Sequence, residues 1–514
     1  MAQVIQSFSI SAPGFYGLNL QDSSLDLASG FALSANNCII DKFGRIGSRK
    51  GWQPLNTSIN AALGTADIKS IGEVVTNGGV SYTICAGNNK LFIYAANALT
   101  ELTYGGGGTA PTITNSNWQM ASLNSHLYLF QSGHTPLVFD PAVSTTTYRR
   151  ISEKAGHTGT AQNGNVAISA YGRLWVTDTT TDKNTIYFSD SLAGHLWSGG
   201  SSGSLNVNTV WPNGGDNIVG LGAHNGFLFI FGRNNILVYS GATVPSNITL
   251  SDTTTGIGCI ARDSIQNTGS DIIFLSDTGV RSVMRTIQEK SAPYRDLSKN
   301  VRDDLMSGVV GELSEPIKAV YSPFESFYLL TLPLSKIVYC FDLKAELQDG
   351  SSRVTTWDNI EPKSLFYRSD KTLLIGKEGY LGSYTGYLDY TSSYRMAYYT
   401  NHTDFGQPSV TSILKKIKVV VVGGTSQDLI VKWDYDFKEN YYSQAVEIPV
   451  QGVSEYNIAE YNIAEYSDGI ALNTLTVYPT GAGKVVQTGY EAEINGSALS
   501  IQKLEIHAKN GKTV

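Results

Sequence analysis

Residues 221–241, LGAHNGFLFIFGRNNILVYSG, alternate a polar turn, an apolar aromatic run, a second polar turn and a second apolar run. Apolar runs this short, bounded on both sides by Asn, Gly or Ser, read as the two strands of a hairpin rather than as a helix. The arrangement recurs at residues 86–103, 122–140, 168–190, 267–283, 321–342 and 367–386, which makes seven copies. Taking Leu91, Leu127, Leu174, Leu228, Ile273, Tyr328 and Leu374 as equivalent strand centres, the intervals are 36, 47, 54, 45, 55 and 46 residues. A drifting period of this length, built from strands alone, is the spacing of β-propeller blades, each a small sheet that buries both faces only when neighbours stack on it. A β-sandwich with irregular hairpins is the competing architecture.

Composition points the same way. The chain has 514 residues, of which 16% are charged, with 52 Gly and 29 Tyr. That profile favours strands and turns over Lys- and Glu-rich helices. One segment reads as helix, DLSKNVRDDLMSGVVGEL from Asp296, with Ser298 as its cap and Val301, Leu305 and the Val309-Val310 pair on one face. From about Asp404 the texture changes to longer alternating strands. The expected organisation is therefore all-β: an N-terminal docking or platform segment over 1–60, an irregular propeller over 61–403 with a helical insertion near 296–314, and a C-terminal β-domain over 404–514.

Net charge is −7, the opposite bias to a protein that grips a polyphosphate. Between Glu439 and Glu493 eight acids face one base, Lys484. Four of those acids, Glu455, Glu460, Glu465 and Asp468, fall in or beside EYNIAEYNIAEY, whose five-residue repeat matches neither strand nor helix and reads as an exposed loop. The four cysteines are scattered without metal-ligand spacing and read as small buried hydrophobes. The start, MAQVIQSFSISAPG, lacks a signal peptide's basic flank and apolar stretch, and no run approaches a membrane span, so synthesis and folding in a cytoplasm are expected.

Candidate chemistry is thin. Residues 199–203 satisfy G-x-S-x-G, but the flanks give a Gly/Ser loop leading to a strand, not the strand and helix of a nucleophile elbow. Asp434, Asp436 and Glu439 could hold a hard cation, yet the spacing is that of the wet face of a strand. SDSLAGHLW, residues 189–197, approaches the Asp-box turn of propeller glycosidases but spaces Asp190 and Gly194 one residue too far apart. The seven histidines form no metal-hydrolase pattern. No catalytic residue, cofactor or metal is expected.

The most distinctive segment is basic. NNCIIDKFGRIGSRKGW, residues 36–52, packs Lys42, Arg45, Arg49 and Lys50 among glycines. Read from Gly14, the run continues from paired acids at Asp22 and Asp26, through Asn36, to G-R-x-x-x-R-x-G at Gly44, Arg45, Arg49 and Gly51. This resembles the N-terminus of the tail nozzle proteins of short-tailed bacteriophages, also called tail tubular protein B or tail hub proteins. The detailed resemblance covers about forty residues, and the seven hairpin groups exceed the six or so the family would suggest.

The resemblance implies a virion protein of the phage tail, made in the host cytoplasm. It implies a homohexameric ring with the adaptor ring above, tail fibre or needle proteins nearby, and double-stranded DNA passing non-specifically through the middle. Asp22, Asp26, Asn36, Gly44, Arg45, Arg49 and Gly51 are then expected at a protein interface, since Arg pairs bidentately with carboxylates and Gly admits close backbones. Structural salt bridging within one chain is the plainer alternative. Glu455, Glu460, Glu465 and Asp468 are expected to face the channel, where weak attraction lets a duplex slide. The rival readings are a receptor-binding propeller whose Trp175, Trp197, Trp211 and Trp357 stack on glycans, and a propeller glycoside hydrolase. On the interface reading, reversing the charge of both Arg45 and Arg49 stops ring incorporation into the tail while leaving the monomer folded.

Overall fold

A computed structural model describes residues 5–283, 296–312, 316–406, 409–424, 427–438, 440–449 and 472–513. The fold is all-β, and its centre is a β-propeller. Seven mainly antiparallel sheets begin with the inner strands Ile68–Val75, Gln119–Leu123, Val166–Ala170, Ile218–His224, Gln266–Asn267, Lys318–Ser322 and Ser364–Tyr367. Each inner strand lies against the next and the last lies against the first, so the ring closes. Tight hairpin turns carry Asn or Ser at positive φ, as at Asn88, Asn89, Asn124, Ser125 and Asn225, where those side chains tolerate the left-handed region.

All seven hairpins belong to seven different blades, although the first is one strand out of phase. Leu91 lies on Lys90–Ala95, the third strand of its blade, whereas the other centres lie on second strands. Ile84, on Ser81–Gly87, is the equivalent position, and the interval to Leu127 becomes 43 residues. Apolar layers fill the spaces between blades: Leu91, Ile93, Leu127 and Phe139 between the first pair, Phe231, Ile236, Ile272 and Phe274 between the fourth and fifth.

The segments flanking the propeller are one body. Ile5–Ser11, Cys38–Ile40 and Ile46–Ser48 share a six-stranded sheet with Val410–Gly423, Leu472–Val477 and Leu499–Thr513. Gly17–Leu18 and Phe31–Asn36 continue the sixth blade, through its outer strand Ser352–Trp357, into a ten-stranded sheet that runs on to Tyr394–Thr400, Val486–Ile494, Asp428–Tyr435 and Tyr442–Glu447. Tyr394–Thr400 thus belongs to the platform, and the propeller's own strands end at Tyr384 rather than near residue 403. One continuous core joins Ile417, Val419, Leu504 and Ile506 of the first sheet to Tyr398, Val431 and Tyr490 of the second, and reaches Tyr328 and Leu330 of the sixth blade.

The helix spans Arg302–Gly311, between the fifth and sixth blades, with Leu305 and Val309 buried and Val310 exposed. Ser298 does not cap it. Its hydroxyl donates to Asp296 and accepts the Val280 N–H, tying the approach to the fifth blade, and Val301 stands at the N-cap without a side-chain bond. At the far end the Glu312 carboxylate accepts the N–H groups of Leu334 and Ser335 at 2.7 and 2.6 Å.

The seventh blade takes its outermost strand, Trp52–Pro54, from the N-terminal segment. Just before it, Gly51 donates its N–H to the Gly386 carbonyl and accepts the Thr385 N–H, which brings it against the Leu388 backbone so closely that a Cβ would overlap it. Gly51→Ala is expected to cost about 3 kcal/mol or more, because backbone rather than a side chain must yield. Gly107→Ala, with open space around the position, should change stability by under about 0.5 kcal/mol. Urea denaturation of the two variants checks the contrast.

Candidate functional site

Residues 49–51 link Ile46–Ser48 of the platform to Trp52–Pro54 of the seventh blade. Ile46–Ser48 is buried at every position, and Arg49, which follows it directly, is fully buried as well. All five of its N–H bonds are used. Two go to the two oxygens of Asp389 at 2.8 and 2.7 Å, two to the carbonyls of Lys50 and Asp358 at 3.0 Å, and Nε–H to Asn37 Oδ1 at 2.8 Å. The guanidinium lies 3.9 Å from the centre of the Tyr394 ring, and the Tyr394 hydroxyl donates to the Arg49 carbonyl. Asn36 and Asn37 donate to the Asp358 carboxylate, and Lys50 reaches Glu325 of the sixth blade at 2.5 Å.

The residues expected at an interface therefore separate. Arg49 and Gly51 are internal, and the Asn36 amide is spent on Asp358: together they hold the platform to the propeller, so the expectation that they face a partner is corrected. What hid this is that the carboxylates sit at 358 and 389, more than three hundred residues away. Gly44 is also structural, with φ +75° in the turn between Cys38–Ile40 and Ile46–Ser48 and a Cβ position 2.6 Å from Pro13. The surface keeps Asp22 and Asp26, both exposed, and the tip of that turn. There Phe43 is 52% exposed, with Arg45 4.6 Å and Lys42 5.0 Å from its ring centre and Arg45 paired to Asp41 at 2.6 Å.

Glu455, Glu460, Glu465 and Asp468 lie outside the described residues. Of the other acids counted with them, Glu491 is buried and accepts from Lys432 at 2.9 Å, Arg395 and Tyr399, whereas Glu447 and Glu493 are exposed. Burial pushes the Glu491 carboxyl up, and those three donors more than reverse it, leaving it below the usual range.

A second buried ionic group crosses the propeller axis. Asp263 accepts from Arg262 at 2.9 and 3.1 Å, from Lys318 at 2.6 Å, and from the Gln119 amide. Asn117 Oδ1 takes a further N–H from Lys318 at 2.6 Å. This group separates two cavities that share Arg262 and Asp263: one of about 310 Å³ lined by all seven inner strands or their flanks, and one of about 670 Å³ running out beneath the helix. Burial alone would raise the Asp263 carboxyl; the two adjacent cations hold it well below the usual carboxylate range. Burial also pulls the Lys318 ammonium down, against the pull of Asp263.

The remaining motifs are structural. Ser201, in the G-x-S-x-G loop, donates to Asp190 at 2.7 Å rather than to a histidine, and Asp190 also takes the N–H groups of residues 191 and 201. Of the three acids that could hold a cation, Asp436 accepts the N–H groups of Lys484 and Val485, Asp434 is buried with its carboxyl pushed up by burial, and Glu439 lies outside the described residues. Among the described residues no three His, Cys, Asp or Glu side chains are placed to hold a metal ion, and no helix is long and apolar enough to cross a membrane. All four cysteines are buried free thiols; burial pushes those of Cys85 and Cys259 up to about 12. Trp175, Trp211 and Trp357 are core residues without an open face for a sugar, whereas Trp197 is half-buried, its indole N–H donating to the Gly194 carbonyl at 3.1 Å.

Neither a protein-family model nor a curated protein matches this sequence. Solved structures share similarity at low identity. The extracellular domain of a one-component system from B. thetaiotaomicron is 12% identical, with 66% of this chain aligned to 40% of that one at a TM-score of 0.39. The WD40 domain of Neurospora crassa Pan2 is 9% identical over 66% of this chain and 95% of its own, at 0.38. YCF48 from Cyanidioschyzon merolae is 9% identical over 65% of this chain and 99% of its own, at 0.39. The chain thus spans about two fifths of the B. thetaiotaomicron domains it matches.

Two outcomes follow from the ion pairs. Arg49→Met should cost about 3–5 kcal/mol by stranding the buried Asp389, whereas Arg45→Met should cost under about 1 kcal/mol; Arg49→Glu should fail to fold, contrary to the sequence expectation. Denaturant titration of the three variants measures this. For Asp263 the folded-state pKa is depressed, so its stabilisation is complete above the unfolded value near 4 and is lost as pH falls towards the folded one. Asp263→Asn should lower stability at pH 7 and flatten the acid limb below about pH 4, read as urea midpoints from pH 7 to pH 3.

Proposed function

We propose that this chain is a structural virion protein, the tail nozzle of a short-tailed bacteriophage. Six copies form a ring below the portal and adaptor and continue the channel through which DNA is ejected. The observation that carries the reading is the course of the segment from Gly14 to Trp52, the same segment that resembles the nozzle family: it threads both platform sheets and then completes the seventh blade. A ring subunit that transmits load between a platform and an outer propeller needs them tied together, and the buried Arg49–Asp389 pair and the shared ten-stranded sheet do that. The function needs no cofactor or catalysis, and DNA passes without sequence-specific contact.

On this reading, docking to the adaptor ring rests on the exposed Asp22 and Asp26 and on the turn tip at Lys42 and Phe43, beneath which Arg45 is largely covered and paired to Asp41. The fibre or needle proteins would meet the outer blades. A receptor-binding propeller is the second reading, favoured by the closed seven-bladed ring itself; the burial of Trp175, Trp211 and Trp357 weighs against glycans stacking on those three.

Light scattering on the purified chain, followed by negative-stain imaging after mixing with the portal and adaptor proteins of the same phage, tests the proposal. The expected result is a six-fold ring capping that assembly. A monomer or trimer that never joins it would favour the receptor-binding reading.

A further inference from the structure

The six-stranded platform sheet has one face in the core and one outside it. Ile417, Val419 and Val421 of Val410–Gly423, and Leu504, Ile506 and Ala508 of Leu499–Thr513, belong to the core. The residues alternating with them therefore form the outer face: Lys416 and Lys418 on the first strand, and Lys503, Glu505, His507 and Lys509 on the second. Pairing sets Lys418 opposite Glu505 and Lys416 opposite His507. Lys415, the extra residue of a bulge beside Lys416, is exposed. Short hydroxyl side chains flank these two strands. Ser7, Ser9 and Ser11 stand opposite His507, Glu505 and Lys503 on one side, and Thr474 and Thr476 opposite Val420 and Lys418 on the other.

Charge on this face is one-sided, in a chain whose net charge is −7. Glu505 is the one carboxylate among these positions, paired to Lys503 at 2.5 Å and 3.5 Å from His507. Among the described residues Lys415, Lys416, Lys418 and Lys509 form no ion pair. Desolvation and the neighbouring Lys418 ammonium pull the Lys416 ammonium down, so these cations repel one another without an anion to relieve them. The face also discriminates between kinds of acidic partner. None of these positions holds an aromatic residue or an arginine, the anchors of protein interfaces, and Lys and Ser are depleted there. The exposed apolar side chains, Ile5 and Leu472, stand at opposite corners. Lysines among short hydroxyls are instead the groups that contact phosphate and sugar. Lys503 and Lys509, six residues apart on one strand, span about 20 Å, a length over which a duplex carries about twelve phosphates.

We propose that this face binds duplex DNA along its phosphate backbone, without sequence preference, through Lys415, Lys416, Lys418, Lys503 and Lys509. The choice of DNA among polyanions rests on the nozzle reading, in which the face lines part of the channel. Two labelled duplexes of equal length and unrelated sequence are titrated with the full chain, read by fluorescence anisotropy, between about 50 and 200 mM salt. The variant is Lys416→Gln/Lys418→Gln/Lys509→Gln. The control is Lys336→Gln/Lys371→Gln, two exposed lysines on the sixth and seventh blades.

The two duplexes should bind alike, with log K falling against log salt at a slope of about −4. The triple variant should bind about tenfold weaker or worse, its slope reduced by about one for each lysine removed, while the control is unchanged. If the triple variant does not fold, the slopes of Lys418→Gln and Lys509→Gln decide. No binding at low salt overturns the proposal, as does equal weakening by the control substitutions. A folded triple variant that binds DNA normally but no longer forms a ring also overturns it, making the face a contact between copies. Ring formation is read separately. A chain that joins portal and adaptor without binding duplex sinks this inference alone, and one that binds duplex but never joins them sinks the nozzle reading alone.

Discussion

A single guanidinium holds the two halves of this molecule in register. Arg49 has no freedom left: five N–H bonds are matched by five acceptors, and the ring of Tyr394 covers its face. The acceptors come from its own link, from the N-terminal segment, from the exit of the sixth blade and from the exit of the seventh. Lys could not replace it, because an ammonium offers three donors without the planar fork that fits a carboxylate and stacks on a ring. A buried charge of this kind is weak evidence of net stabilisation. It does specify: any other path for residues 49–51 leaves Asp389 buried and unmatched.

The consequence is mechanical coupling. The ten-stranded sheet carries backbone hydrogen bonds from the sixth blade into the platform, and one apolar core spans the junction. The seventh blade is anchored differently, by Trp52–Pro54 as its outer strand and by the Gly51 contact beneath it. Two adjacent blades are therefore fixed to the platform by strand pairing, and the fifth packs into the same core through Ile273, Leu275 and Val280. At the ring's centre the Arg262–Asp263–Lys318 group joins the second, fifth and sixth blades through Asn117 and Gln119, so the axis is bridged as well as the rim.

The propeller was legible because its signal is local. Each hairpin places a short apolar run between turn formers, and seven such units at a drifting interval need no long-range information. The hairpin pattern is out of phase at Leu91 because the first blade's inner strand, IKSIGEVV, is half polar and the Asn88-Asn89 turn is a stronger signal than the turn at residues 76–80. The platform was legible as two end pieces but not as one body, since strand partners such as Ile10 and Leu504 are nearly the whole chain apart. Arg49 was misread for the same reason. A basic run spaced by glycines looks like surface until its carboxylates are located.

One clue to the axis was present. Ile68-Lys69-Ser70-Ile71 and Ile317-Lys318-Ala319-Val320 open two inner strands with the same pattern, a lone lysine in an apolar strand start. It carries meaning only once the repeats are superposed and both positions are seen to face one cavity. The helix cap failed for a different reason: Ser298 had a nearer use, bonding to Asp296 and the Val280 N–H before the helix begins.

The threading of the N-terminal segment also sets an order of events in synthesis. Its strands emerge first, yet the partners of Ile5–Ser11 lie at residues 503–509, and those of Trp52–Pro54 at 382–384. At ordinary translation rates the segment waits tens of seconds before the seventh blade exists to receive it, and longer for the platform. Closing loops of that length makes such pairing slow even after release. Throughout that interval Phe15, Ile40 and Ile46, all core residues in the finished fold, are without their partners. These apolar residues are thus open to self-association while the blades form, and the seventh blade is completed by a segment made before any of its other strands.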